Sequence, residues 1–219
     1  MNNLKKDDEV VMDFFSGSAS TADALLQYNA EKNINARYVM VQLPELIDEK
    51  QSAYTHEYKV ITDIGEERIR RAGKKIKEET NANIDYGFRV YRVDSSNMKD
   101  VYYKPSDLGQ TNLFDMMSNI KDDRTPEDLL TQVMLDLGLT LDLKIEAKTI
   151  LNNKVFYVAD NALVACFDDI VDINIIDEIC KCKPLKVVFK DMSFKSDKDK
   201  INLEERVKKL SPDTEISIL

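Results

Sequence analysis

Two short apolar runs, one helix apart, constrain this chain more than any other feature. Val10–Phe15 (VVMDFF) is interrupted only by Asp13 and runs into a small-residue turn, SGSAST. Arg37–Leu43 (RYVMVQL) follows, and Ala22–Lys32 between them places Ala22, Leu25, Leu26 and Asn29–Ala30 on one side of a helix. Unbroken hydrophobicity suits a central parallel strand buried on both faces. Strand, helix and strand joined by short links make a parallel unit with a right-handed crossover. Ser20 or Thr21 is placed to cap the helix, with Asp23 in its first turn.

Downstream, ITDIGEERIRRAGKKIKEE predicts a helix, because Ile61, Ile64, Ile69, Ala72 and Ile76 recur at helical spacing. Gly65 inside it costs about 1 kcal/mol against alanine and implies close approach of a neighbour. Gly87–Val93 alternates and predicts a strand, with DSSN as the turn after it. Composition shifts after Lys104, and Pro105–Thr125 is expected to be a linker. Thr125 and Pro126 then start a helix to about Leu137. Strands are expected over Thr140–Ile145, Lys154–Val158 and Ala162–Phe167, the last two joined by a turn at Asp160-Asn161. A helix (Ile173–Cys182), a strand (Leu185–Phe189), a helix (Leu203–Leu210) and a strand (Glu215–Ile218) complete a second α/β unit.

Composition narrows the function. Forty acids against 31 bases give a net charge of −9, which disfavours a stand-alone nucleic-acid binder. No run approaches the ~18 apolar residues of a membrane span, and MNNLKKDDEV is not a signal peptide. A soluble cytoplasmic protein is the expectation. Its three cysteines are expected to be reduced.

The turn after Asp13 can present backbone N–H groups at a helix N-terminus, which suits an anionic group. A dinucleotide would want G-x-G-x-x-G, and here Gly17 is the only glycine of the three; Asp13 would also repel a pyrophosphate. S-adenosylmethionine fits better. A strand-end carboxylate can pair its ammonium, the turn amides can meet its carboxylate, and phenylalanines can flank its methionine chain. A plain strand-turn-helix without a ligand is equally compatible with this stretch alone.

DFFSGSAST resembles the first cofactor motif of amino-methyltransferases acting on DNA, D-P/F-F-x-G-S-G-T-T, with Ala19 for the second glycine and Ser20 for threonine. RYVMVQLPE, YKVITDIGEERIRRA, GFRVYRVDSSN and VVFKDMSFKSDKDKINLEERVKKLSPDTEI resemble, in that order, the modification subunit of type III restriction-modification systems. The resemblance implies an α/β fold: a partial Rossmann-like S-adenosylmethionine-dependent methyltransferase sheet over residues 1–104, then a smaller α/β association module over 105–219. It implies that Asp13, Phe15, Gly17, Ser18 and Ala19 line the methionine part of the site. The family's ribose-binding acid is matched by Gln42 at the end of the second apolar run, or by Glu45 beyond Pro44. DNA, a restriction subunit and a second copy of the chain are the implied partners, with no membrane.

The family transfers its methyl group at an Asp/Asn/Ser-Pro-Pro-Tyr/Phe loop, which holds an extruded base and its amino group. Five prolines occur here, no two adjacent, so no catalytic residue is assigned in this chain. In type III enzymes the catalytic motif precedes the cofactor motif. The simplest expectation is therefore a C-terminal portion of an adenine-specific methyltransferase, inactive alone. A split enzyme, or a non-catalytic interaction module that keeps a methyltransferase half-fold, is the alternative.

Other constellations carry less. His56 is the single histidine, and a loop role without chemistry is favoured. Cys180 and Cys182 lack the second ligand pair that zinc needs. Asp168, Asp169 and Asp172 fail the calcium-loop spacing. Asp142 with Glu146-Ala-Lys148 imitates a nuclease site at spacing too common to carry weight. The basic residues from Arg68 to Lys77 have matching acids for ion pairs along a solvated helix, with a phosphate or inter-domain contact as the lesser reading.

Overall fold

The computed structural model describes residues 9–48, 50, 58–99, 120–194 and 196–219. The chain divides into two compact units, Met1–Arg92 and Val93–Leu219. His56 and most of the expected linker lie outside the described residues. No helix among the described residues is long and apolar enough to cross a membrane.

In the first unit, β1 (Val10–Asp13) pairs in parallel with β2 (Arg37–Met40), Val10 opposite Arg37 and Asp13 opposite Met40. Between them runs α1 (Ser20–Lys32), which ends at Asn33 in the left-handed region. The long helix α2 (Ile61–Thr80) lies against α1. Ala19, Ala22, Leu26, Ile69, Ala72 and Ile76 form the core, with Tyr38 and Met40 of β2 packed onto it. The helices therefore cover one face of this sheet. The other face, carrying Val10, Met12 and Val39, is exposed. This corrects the expectation of strands buried on both faces. Both strands also end earlier than their apolar runs, because Phe14 and Leu43 have left the ladder.

Gly87–Val93 forms no strand. Of its apolar residues Phe88 packs on the helical core, next to Tyr86 just before the segment, whereas Val90, Tyr91 and Val93 are exposed. The Tyr86 carbonyl oxygen sits 3.4 Å from where a Gly73 Cβ would stand. The alternation therefore forms neither a ladder nor a packed face beyond Phe88.

The second unit is a five-stranded mixed sheet, ordered β3 (Ile145–Ile150), β4 (Asn153–Val158), β5 (Leu163–Cys166), β6 (Lys186–Phe189), β7 (Glu215–Ile218). The first three strands are antiparallel neighbours, and β5–β6 and β6–β7 are parallel. α3 (Pro126–Asp136) packs through Leu129, Leu130, Val133 and Met134 on one face. α4 (Ile175–Ile179) and α5 (Asp197–Leu210) pack on the other through Ile175, Ile176, Ile179, Leu203 and Val207. Thr125 caps α3 by accepting from the Asp128 N–H at 3.2 Å, and the Asp128 carboxylate accepts from the Thr125 N–H at 2.8 Å.

Several boundaries move. The strand expected at Thr140–Ile145 begins where that range ends. Leu139, Leu141 and Leu143 pack on the α3 side outside the sheet, while β3 and β4 form a hairpin over Leu151 and Asn152, both left-handed. The next turn centres on Ala159 and Asp160, one residue earlier than expected. The helix expected over Ile173–Cys182 is a short α4 followed by a 3-10 turn, Cys180–Cys182. α5 starts upstream of Leu203, capped by the Ser196 hydroxyl.

Candidate cofactor site

The loop from β1 into α1 reverses the chain with Gly17 (φ +52°) and Ala19 (φ +58°, ψ +36°) in the left-handed region. For Gly17 that conformation is unstrained; for Ala19 it costs about 1–2 kcal/mol. The Ala19 N–H bonds the Ser16 carbonyl at 2.8 Å and closes the turn. Ala19 is itself the residue at the helix N-cap, and no side chain caps the helix there. This corrects the expectation that Ser20 or Thr21 would cap: both lie inside α1. The N–H groups of Ser18, Ser20 and Thr21 consequently meet no acceptor among the described residues. They are open donors at the positive end of a helix.

The carboxylate of Asp13 stands at the end of β1, half-buried. One oxygen accepts from the Thr21 hydroxyl at 2.7 Å, and the other from the Phe15 N–H at 3.2 Å. A carboxylate has lone pairs beyond these two, so a cationic group can still be accepted. Across the loop, the Gln42 Oε1 accepts from the Gly17 N–H at 2.9 Å, and its Nε2 donates to the Leu43 carbonyl at 3.2 Å. The structure thus brings Asp13, Gly17, Ser18, Ala19 and Gln42 to one place.

Phe15 lies beside them but is almost fully exposed, at 87%. Glu45 sits past Pro44, its backbone tied to Leu43 and to the first residue of α2. Its exposed carboxylate has no partner among the described residues. Sequence reasoning missed Thr21 as a partner of Asp13. The signal was present, a hydroxyl one turn into the helix and eight residues from the carboxylate, but capping was the commoner use for it.

The remaining constellations dissolve into local pairs. On α2, Arg70–Glu66 (3.0 Å), Arg71–Glu67 (2.6 Å), Lys74–Glu78 (4.0 Å) and Lys75–Glu79 (3.9 Å) follow helical spacing, and Arg68 reaches Asp23 at 3.6 Å. Hydrogen bonds from Lys144 and then Lys148 hold the Glu146 carboxyl below its ordinary range on exposed β3. Asp168 accepts from Asn153, Asp169 pairs with Lys190, and Asp172 accepts from Asn174. Burial pushes all three thiols up, Cys166 to about 11, and no metal-holding cluster occurs among the described residues.

No protein-family model matches the chain. Individual relatives do. The "Type III restriction-modification enzyme EcoP15I Mod subunit" of Escherichia coli is 37% identical over 84 residues, which is 38% of this chain and 12% of that protein. The corresponding StyLTI Mod subunit of Salmonella typhimurium is 35% identical over 86 residues, 39% of this chain and 13% of that protein. The EcoPI Mod subunit of Escherichia phage P1 is 32% identical over 85 residues, again 39% and 13%. The matched stretch is about an eighth of the length of each of these relatives. The chain is a partial relative of the modification subunits of type III restriction-modification enzymes.

Proposed function

We propose that this chain is the S-adenosylmethionine-binding, C-terminal portion of a DNA methyltransferase of a type III restriction-modification system, specific for the adenine amino group. The observation that carries the reading is the pairing of an uncapped α1 N-terminus with the Asp13 carboxylate across one turn. A zwitterionic amino acid needs both: open N–H donors for its carboxylate and an acceptor for its ammonium. The open donors of Ser18, Ser20 and Thr21 fit the first, and Asp13 the second. Phe15 supplies apolar surface beside them, and Ala19 shapes the turn with its methyl buried toward α2. Gln42 spends its oxygen on Gly17, so of the two ribose candidates Glu45 carries the free carboxylate acceptor.

When bound, S-adenosylmethionine supplies the methyl group. This chain's residues bind and orient it; none of them is assigned to proton transfer. Base extrusion and in-line alignment of the amino nitrogen belong to a Pro-Pro loop that the 219 residues do not contain. Partners follow from the same reading. DNA would be engaged through other parts of the enzyme, and a restriction subunit and a second modification subunit would associate through residues 105–219, in the cytoplasm.

Titration calorimetry tests the proposal. Wild type should bind S-adenosylmethionine weakly, since part of the pocket wall is open to water. Asp13→Ala should lose that binding, and tritiated methyl should not pass to adenine in DNA from this chain alone. Equal affinity for wild type and Asp13→Ala would remove Asp13 from the site. Absence of binding by wild type would leave the non-catalytic interaction module as the reading.

A further inference from the structure

We infer that Thr21 and Gln42 are positioning residues that brace the Asp13–Ala19 turn from opposite sides before any ligand arrives. The inference rests on the cofactor reading for its purpose, though not for its geometry. Thr21 sits in the first turn of α1 and donates its hydroxyl to Asp13 at 2.7 Å, tying the helix back to the end of β1. Gln42 lies two residues beyond β2 and reaches across 25 residues of sequence to take the Gly17 N–H at 2.9 Å. Gln42 is fixed in turn, because its amide donates to the Leu43 carbonyl at 3.2 Å.

The backbone around these two contacts is itself pinned. The Ser16 N–H reaches the Val41 carbonyl at 3.3 Å, and the Val41 N–H reaches the Asp13 carbonyl at 2.8 Å. The side chains therefore complete a lattice that the main chain starts, at the two points the main chain leaves loose. Thr21 sets the direction of the carboxylate. Gln42 satisfies the one glycine amide of the turn, so the donors left for an anion are those of Ser18, Ser20 and Thr21. A turn held this way loses less freedom on binding, which is where preorganised sites gain affinity. It also explains how the strand end can carry glutamine where the family has an acid: the residue serves the turn and leaves a sugar hydroxyl to another group.

Amide exchange measured by NMR on the ligand-free chain tests the brace directly. Gln42→Leu should speed exchange of the Gly17 N–H about fivefold or more, the loss expected for one net hydrogen bond. Gln42→Glu keeps an acceptor oxygen and should restore protection. Thr21→Val should free the Asp13 carboxylate and speed exchange of the Phe15 N–H, which that carboxylate accepts at 3.2 Å; Thr21→Ser should restore it. General loosening of the fold would affect the Leu26 and Ile69 amides as well, and their unchanged exchange separates positioning from destabilisation. Unchanged Gly17 and Phe15 exchange in Gln42→Leu and Thr21→Val would overturn the brace. A parallel titration with S-adenosylmethionine reads its purpose: affinity should drop in Thr21→Val and Gln42→Leu and return in Thr21→Ser. If wild type binds none while the exchange pattern holds, the cofactor reading falls and the brace stands.

Discussion

Gly65 of α2 lies against Ala19 in the turn before α1: a Cβ on Gly65 would stand 3.4 Å from the Ala19 methyl and 3.4 Å from the Gly17 carbonyl oxygen. That spacing is contact without overlap. Gly65→Ala should therefore be accepted and should stabilise the unit by up to about 1 kcal/mol, the helix preference of alanine over glycine. Gly65→Leu has no room and should cost about 1–3 kcal/mol by pushing α2 off the turn. Urea midpoints for the two variants check this. Destabilisation by Gly65→Ala as large as that by Gly65→Leu would mean the contact is tighter than it stands.

Ala19 carries opposing terms of similar size. Gly at this position would relieve a left-handed strain of about 1–2 kcal/mol. It would also lose a buried methyl worth about 0.8 kcal/mol and gain about 0.4–1 kcal/mol of freedom in the unfolded chain. Ala19→Gly should be near neutral. Ala19→Val should cost about 2 kcal/mol or more, because a β-branched side chain is a true outlier at φ +58°. Thermal melts of the two variants decide it, and a harmless valine would contradict the left-handed geometry.

The strand–turn–helix–strand order at the start of the chain was legible because each piece announces itself locally: Val10–Asp13, the small-residue turn and Arg37–Met40 are all short and contiguous. The α3 start was legible for the same reason, since Thr125, Pro126 and Asp128 sit together. What failed was non-local. Nothing in Gly87–Val93 says that its neighbour will be a helix, and nothing in Leu139–Leu143 says that the pairing strand lies one step later. At the site, the types and order of Asp13, Gly17 and Ala19 were readable, whereas the Gln42–Gly17 bond depends on register between β1 and β2, which sequence does not print. The start of α5 escaped because Asp197–Lys200 is charged and offers no apolar periodicity.

The acidic turn of the second unit is a structural network. Buried Asn153 donates to Asp168 at 3.0 Å and to the Ile170 carbonyl at 2.8 Å, and its oxygen accepts from the Asp172 N–H at 3.1 Å. Asn153→Ala should cost about 1–3 kcal/mol, since one buried amide's three part-buried hydrogen bonds are lost at once. Calcium should not raise the melting temperature of wild type, because these carboxylates do not gather into a metal-holding cluster among the described residues. A millimolar-calcium melt that shifts upward by several degrees would reopen the turn as a cation site.

Alkaline pH should weaken the second unit through groups buried in its core. Burial pushes the Cys166 thiol from 9.0 to about 11 and the Tyr157 hydroxyl to about 12. In both cases the folded state keeps a proton that the unfolded state releases more readily. Stability is therefore complete below the unfolded pKa and falls as pH rises toward the folded one. For Cys166 the window is about pH 9 to 11 and the loss is of order 2 kcal/mol. Urea midpoints at pH 8 and 10.5 should fall less in Cys166→Ala than in wild type. An identical fall in both would show that the thiol does not titrate on unfolding.

The uncovered face of the β1–β2 sheet predicts association. Val10 and Met12 of β1 share that face with Val39 of β2 by register, and Phe14, Val41 and Leu43 extend it beyond the ladder. All six are between 41% and 68% exposed, in one contiguous apolar strip next to helices that cover only the opposite side. Single exposed leucines are ordinary on a protein surface; a continuous strip is a docking surface or an aggregation hazard. Among the described residues the sheet has two strands, so a further strand could add to it at an edge. Light scattering at micromolar concentration should report a dimer or larger species, rising with concentration. Met12→Lys with Val39→Lys should shift it toward the monomer mass while the fold survives, because both side chains already face solvent. A 25.1 kDa monomer for wild type at every concentration would mean that the strip is covered from within the chain.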